Sequence, residues 1–201
     1  MKEIKVKVTL LEECLGMSPS SQDIYTQFIA SKSPDAATRE EEVASIGCDE
    51  VEKKEMTIFP KTDDGRPFFW DFQIRGFFKD SCSALKRCPK EDFSKESCGM
   101  KAYKKIIDGC IFVKERQIPI DVVGEMGVCQ RSLRTSSAQG ERTALASSET
   151  VPAGSTLTFT VICLSDQYEN AVLEWLNYGL FKGLGQWRNS GKGRFTFEIV
   201  H

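Results

Sequence analysis

Histidine is almost absent from this 201-residue chain, whose single copy is His201. The commonest general base of enzymes and the commonest nitrogen ligand of zinc are therefore confined to the extreme terminus. Long apolar runs are missing as well, and no window approaches the ~20 residues of a membrane-spanning helix. Met1-Lys2-Glu3-Ile4-Lys5 contains no apolar leader segment, so a cytoplasmic protein with no membrane partner is expected. Cysteine is present in eight copies, but no C-x-x-C pair occurs. Cys82, Cys88, Cys98 and Cys110 are the only set close enough to imagine around zinc. Neither a metal nor a cofactor is expected, and thiols scattered in this way read as reduced. An excess of one charge is also lacking: 27 bases face 29 acids, for a net charge of −2. That balance argues against coating nucleic acid by bulk electrostatics.

The charge that is there is unevenly placed. From Asp35 to Glu55 there are eight acids and three bases, and from Asp71 to Lys105 nine bases and five acids. An acidic insertion thus masks a basic remainder, although two ordinary solvated faces would give the same pattern. At this length, with 40% hydrophobic residues, one domain with a proper core is expected.

Periodicity supplies the elements. Ile4, Val6, Val8 and Leu10 alternate with polar residues, as a half-buried strand requires. Ser20 or Ser21 is suited to cap a short helix carrying Ile24, Phe28 and Ile29, and Ser33-Pro34-Asp35 opens an acidic helix toward Ser45. Met56 to Pro60 and Pro67 to Ile74 flank Asp63-Asp64-Gly65, which predicts a hairpin. Phe77 to Arg87 predicts an amphipathic helix with cations outside. Lys104 to Lys114, broken by Asp108-Gly109, predicts a second hairpin. Val128 to Thr150 is poor in aliphatics and is expected to project into solvent. Val151-Pro152-Ala153-Gly154 turns into a strand over 155–164, Asp166 is placed to cap a helix through Phe181 with Trp175 in the core, and a strand closes the chain from Arg194 to Val200.

Between that helix and that strand lies the most distinctive segment, Gly183-Leu184-Gly185-Gln186-Trp187-Arg188-Asn189-Ser190-Gly191-Lys192-Gly193-Arg194-Phe195. Gly183, Gly185, Gly191 and Gly193 allow close backbone approach, while Arg188, Lys192 and Arg194 supply charge suited to a phosphodiester backbone. A nucleotide-binding P-loop is excluded by spacing: five residues separate Gly185 from Gly191, Gly193 stands where a hydroxyl belongs, and a strand follows instead of a helix.

Without residues 12–75 and 117–152 the order is strand, helix, hairpin, strand, helix, strand. If the hairpin gives one strand to the sheet, the fold is α+β with a ferredoxin-like, RRM-type βαββαβ core. "VPAGSTLTFTV" and "GLGQWRNSGKGRFTFEI", with "DDGRPFFWDFQIRGFFKDSCSALKR" upstream, resemble the RAMP superfamily, whose members form the repeated backbone of CRISPR effector complexes. The resemblance implies a single domain over residues 1–201 with those two insertions, the second a thumb-like projection. It also implies a groove for single-stranded RNA or DNA lined by Arg75, Lys79, Lys86, Arg87, Arg131, Arg134, Arg142 and the glycine loop. Head-to-tail packing with other copies is implied too. A second reading of the same resemblance is a mimic that docks on CRISPR effector subunits and inhibits them. A third is a metal-dependent endoribonuclease, with Glu55, or less plausibly Asp35, as its acid. No residue pair marks a catalytic site, so the chain reads as non-catalytic.

Overall fold

Ile4, Val6, Val8 and Leu10 are all 3% exposed or less, as their alternation requires of a strand with one face against the core. The structure, a computed structural model, describes residues 1–19, 56–90, 93–137 and 140–200. The helix expected around Ile24, Phe28 and Ile29, the acidic helix toward Ser45, Asp35 and Glu55 lie outside the described residues. In chain order the elements are β1 (Lys2–Leu10), β2 (Cys14–Leu15), β3 (Ser18–Pro19), β4 (Thr57–Ile58), β5 (Phe68–Trp70), α1 (Asp71–Leu85), α2 (Lys95–Cys98) and α3 (Tyr103–Cys110). There follow β6 (Ile111–Val113), β7 (Gln117–Asp121), β8 (Gly127–Ser137), β9 (Gly140–Val151), β10 (Thr156–Cys163), α4 (Glu169–Asn177) and β11 (Phe195–Ile199).

Two sheets result. The larger has β10 at its centre and β1 beside it, antiparallel to β10 from Lys2↔Cys163 to Thr9↔Thr156 and to β11 from Val6↔Ile199 to Leu10↔Phe195. On its other edge β10 pairs with both β6 and β7, and β7 in turn pairs with β5. The path β11-β1-β10-β6, with α1 after the first strand and α4 after the third, is compatible with a ferredoxin-like core. Phe159, Val161, Phe78, Val172 and Trp175 fill the space between sheet and helices, each at most 1% exposed. Burial of each such side chain stabilises the fold by about 1.5–3 kcal/mol. The second sheet is the long β8–β9 hairpin with β2 and β4 along β9 and β3 on the far side of β4.

Four expectations are corrected. The strand expected over Pro67 to Ile74 ends at Trp70, and α1 starts at Asp71 rather than after Gly76. Its buried residues are Asp71, Ile74, Phe77, Phe78, Ser81, Cys82 and Leu85, a three-and-four spacing that the aromatic run before it obscured. Gln73 Oε1 accepts from the Trp70 backbone N–H at 2.8 Å and fixes the helix start. The hairpin expected over Lys104 to Lys114 is α3 followed by β6. Asp108-Gly109 sits on an exposed last turn, with Asp108 held by Lys79 on α1 at 2.5 Å. That segment therefore gives the sheet one strand. Third, β5 and β7, both within stretches read as insertions, pair with each other and through β10 belong to the larger sheet. Fourth, Asp166 makes no capping bond; a short 3-10 turn over Asp166–Tyr168 precedes α4.

The connector between α1 and α3 is held by a buried polar network. Glu174, 8% exposed, accepts from the backbone N–H of Glu96 at 2.8 Å and of Ser97 at 3.0 Å, and also from the Ser97 hydroxyl. Trp175 Nε1 donates to Ser97 Oγ at 2.9 Å. Trp175 is thus a core residue whose one polar atom is satisfied. Among the described residues no helix is long and apolar enough to cross a membrane.

Candidate nucleic-acid interface

The glycine loop is fastened to the corner between β1 and β2 by backbone bonds. The N–H of Gly193 donates to Glu13 O at 2.8 Å, that of Gln186 to Leu15 O at 3.3 Å and that of Leu11 to Arg194 O at 2.7 Å. Leu184 N–H closes the loop on Gly193 O at 2.9 Å. This crossing explains the glycines. A Cβ on Gly183 would lie 1.8 Å from Gly193 O, and one on Gly193, whose φ is +69°, 2.0 Å from Leu184 O. Neither neighbour is a movable side-chain tip. Gly191 is different: its φ is +82°, but the nearest atom to an added Cβ is Arg194 Nε at 3.6 Å. The close approach that the sequence suggested is therefore, at Gly183, Gly185 and Gly193, an approach of chain to chain.

The three loop cations each meet a carboxylate of the same chain. Arg188 Nη2 lies 2.7 Å from Asp80 on α1, Arg194 Nη2 2.9 Å from Glu12, and Lys192 Nζ is bonded to Glu13. The Glu13 carboxylate raises the Lys192 pKa above its ordinary value. Glu12 and Glu13 were not singled out in the sequence, yet a signal existed. They follow β1 directly, and the Leu10↔Phe195 register sets that corner against the end of the loop. Beneath the loop, Cys14 is fully buried and donates from Sγ to Leu184 O at 3.5 Å; burial pushes its thiol up to about 12.

The hairpin meets the loop through Arg131. Arg131 on β8 donates from Nη2 to Gln186 Oε1 at 2.7 Å, and its guanidinium lies 5.4 Å from the Trp187 ring centroid. Lys192 and Arg194 thus meet the corner of β1 and β2, Arg188 meets α1, and Arg131 meets Gln186 and Trp187. Arg134 and Arg142 lie further along β8 and β9, where Arg134 pairs with Thr143 and Thr135 with Arg142; their side chains are outside the described residues.

The cations of α1 divide. Arg75 donates to Asp71 Oδ2 at 3.2 Å, and Arg116 holds the other oxygen of the same buried carboxylate. Lys79 is paired with Asp108. Lys86 and Arg87 are exposed with no carboxylate partner among the described residues, Lys86 standing 5.7 Å over the Tyr103 ring. They lie about 10 Å along the helix axis from Asp80, the one α1 residue that bonds a loop cation. Among the described residues no bond joins Arg75, Lys79, Lys86 or Arg87 to the loop; α1 meets it through Asp80. The seven described cysteines are free, and no group of three His, Cys, Asp or Glu is placed to hold a metal among the described residues.

No protein-family profile and no curated protein matches the sequence. Among solved structures, the chain is similar to one in the Type III-B Cmr-beta complex bound to cognate target RNA, seen by cryo-electron microscopy. The TM-score is 0.50 at 12% identity, over 100% of this chain and 60% of that one. It also matches a chain of a Type IV-B CRISPR complex, with TM-score 0.47 and 11% identity over 99% of this chain and 90% of that one. This chain thus spans about three fifths of the length of the Cmr-beta chain. At such identity the likeness is one of fold, which by itself assigns no activity. The resemblance to CRISPR effector subunits, carried in the sequence by the turn at Val151 and the loop from Gly183, is matched by a likeness of fold that runs the whole length of the chain.

Proposed function

We propose that this chain is a non-catalytic, RAMP-like protein that binds single-stranded RNA within a CRISPR-type assembly. In this reading the core is an RRM-type βαββαβ unit, the β8–β9 hairpin is its thumb-like projection, and copies pack head to tail. The observation that carries the reading is the junction where Arg131 of the hairpin reaches Gln186 and Trp187 of the loop. There Arg131 stands against an exposed aromatic ring, in a loop that also carries Arg188, Lys192 and Arg194. Such a surface suits a sugar-phosphate backbone and is tolerant of sequence. The test is direct. Purified protein should carry nuclease-sensitive nucleic acid, read from its absorbance ratio, or bind a labelled 20-mer oligouridylate with affinity that falls as salt rises. Protein that does neither refutes the reading.

A second reading is supported by the ion pairs. Because Asp80, Glu12 and Glu13 already neutralise the loop cations, the loop draws a phosphate less strongly than its sequence suggests. That favours a mimic which takes the place of a subunit and inhibits a CRISPR effector complex. A monomer that ignores oligonucleotides but co-purifies with effector subunits would establish it. The endoribonuclease alternative depends on Glu55, outside the described residues, and has no supporting observation.

A further inference from the structure

Trp187 has an unusual backbone. Its φ of +54° and ψ of +33° place it in the left-handed region, where among described residues the only other non-glycine is Ala102. A bulky side chain there is disfavoured by roughly 1–2 kcal/mol, a cost that a glycine would remove. The loop is rich in glycine, with Gly185 and Gly191 on either side at φ of +79° and +82°, yet this position carries the largest side chain available. The ring is not retained for the core, since Trp187 is 41% exposed, whereas Trp175 is wholly buried. No aromatic ring of the described residues stacks on it; its one partner is the Arg131 guanidinium. Arg131 is itself fixed by Gln186 Oε1, and Gln186 is pinned through its backbone to Leu15. The next residue, Arg188, is held on Asp80 at 2.7 Å.

We propose that Trp187 is a stacking platform for one base of a bound single strand, with Arg131 backing the ring and the loop cations following the adjacent phosphates. The proposal rests on the RNA-binding reading above and adds a contact to the base that the cations alone do not supply. A cation held against an indole fixes the orientation of the ring before the ligand arrives, so less side-chain freedom is lost on binding. Stacking accepts any base, so the contact adds affinity without reading sequence.

The experiment compares a labelled 20-mer oligouridylate with the same sugar-phosphate chain lacking bases, titrated against the parent, Trp187→Ala, Trp187→Phe and Trp187→Gly. Trp187→Ala is expected to bind oligouridylate about tenfold more weakly and the abasic chain as the parent does. Trp187→Phe should recover most of the loss. Trp187→Gly should bind as weakly as Trp187→Ala while unfolding at an equal or higher urea midpoint, since glycine relieves the left-handed backbone. That combination separates a ligand contact from a structural one. Equal affinity of parent and Trp187→Ala for oligouridylate would overturn the stacking site and leave phosphate binding standing. Equal losses on both chains would overturn it too, by showing that the ring only supports the loop. If the parent binds neither chain, the RNA-binding reading itself fails, and the platform with it.

Discussion

In the loop from Gly183 to Arg194 every cation has a carboxylate partner, whereas at the C-terminal end of α1 Lys86 and Arg87 have none among the described residues. Both regions look alike as sequence, each a short run rich in Lys and Arg. They differ in what the surrounding chain does. The loop is crossed by its own backbone at Leu184 and Gly193 and clamped by the β1–β2 corner, so its cations are held in fixed places by Glu12, Glu13 and Asp80. The helix end presents two exposed charges with no carboxylate partner among the described residues, Lys86 standing over the Tyr103 ring. A built site with neutralised charge and an unbuilt patch with open charge call for different tests.

The comparison is most easily broken at the glycines. On α1, Gly76 is exposed mid-helix and an added Cβ meets nothing within 4 Å, so Gly76→Ala should stabilise the protein by about 0.5–1 kcal/mol. In the loop, Gly193→Ala combines a left-handed backbone with a Cβ driven into Leu184 O and should destabilise by about 3 kcal/mol. Gly191→Ala, which has room, should cost about 1 kcal/mol. Urea unfolding of the three variants measures this. Equal effects at Gly191 and Gly193 would mean that the loop is not built by backbone crossing.

Thiol chemistry draws the same line. Cys88, exposed just past α1, should react with iodoacetamide at pH 8, while Cys14 beneath the loop should stay protected until the protein unfolds. The pH dependence has a definite sign. With the folded thiol pushed up to about 12 from an ordinary value of 9.0, the folded state keeps a proton that the unfolded state loses. Stability is therefore undiminished below pH 9 and falls as pH rises above it, by as much as about 1.4 kcal/mol per unit from this one group. Cys14→Ala should flatten that part of the profile. An unchanged slope would move the alkaline sensitivity elsewhere.

Charge release sharpens the comparison on the functional side. Replacing Glu12 and Glu13 by Gln leaves Lys192 and Arg194 without their carboxylates. These pairs are partly exposed, so folding should change little. Binding of a 20-mer oligouridylate at low salt should tighten about fivefold under the RNA-binding reading, since two nearby negative charges are gone. Under the mimic reading the variant gains nothing on RNA. The same pair of measurements on Lys86→Glu gives the opposite sign only if the helix end also lies along the strand.

The contrast between β1 and α1 shows what local pattern carries. Four apolar residues at period two in β1, and four more at Leu157, Phe159, Val161 and Cys163 in β10, leave one reading, and all eight are buried. The start of α1 was hidden because Phe68-Phe69-Trp70-Asp71-Phe72 satisfies a strand as well as a helix, and the deciding contact, Gln73 to the Trp70 N–H, is made only once the helix exists. At α3, Asp108-Gly109 carries a turn preference that the burial of Ile107 and the Lys79 ion pair override. In the candidate site the loop itself was legible, because glycines and cations are local facts. Its partners were not: Glu12 and Glu13 lie about 180 residues away in sequence from Lys192 and Arg194, and only the strand order brings them together. Trp187 was visible as a letter, but its backbone and its Arg131 partner belong to the fold.

The smallest effect expected is at the helix end. Lys86→Gln and Arg87→Gln remove charges that touch no carboxylate among the described residues, so each should leave stability within about 0.5 kcal/mol of the parent. If the strand leaves the loop along α1, each cation answers one phosphate, and each substitution should reduce the salt slope of single-strand binding by about 0.7. Between 50 and 200 mM salt that amounts to roughly a threefold change in affinity, well within the reach of a fluorescence titration. The loss should be the same for oligouridylate and for the abasic chain, because a lysine or arginine on phosphate does not sense the base. Arg188→Ala provides the internal standard, since its charge lies at the junction and is held on Asp80. A slope that drops for Arg188→Ala but not for Lys86→Gln or Arg87→Gln confines the strand to the loop and the hairpin. A slope that drops for all three extends the path along α1, and open and paired charges alike would then set how steeply binding depends on salt.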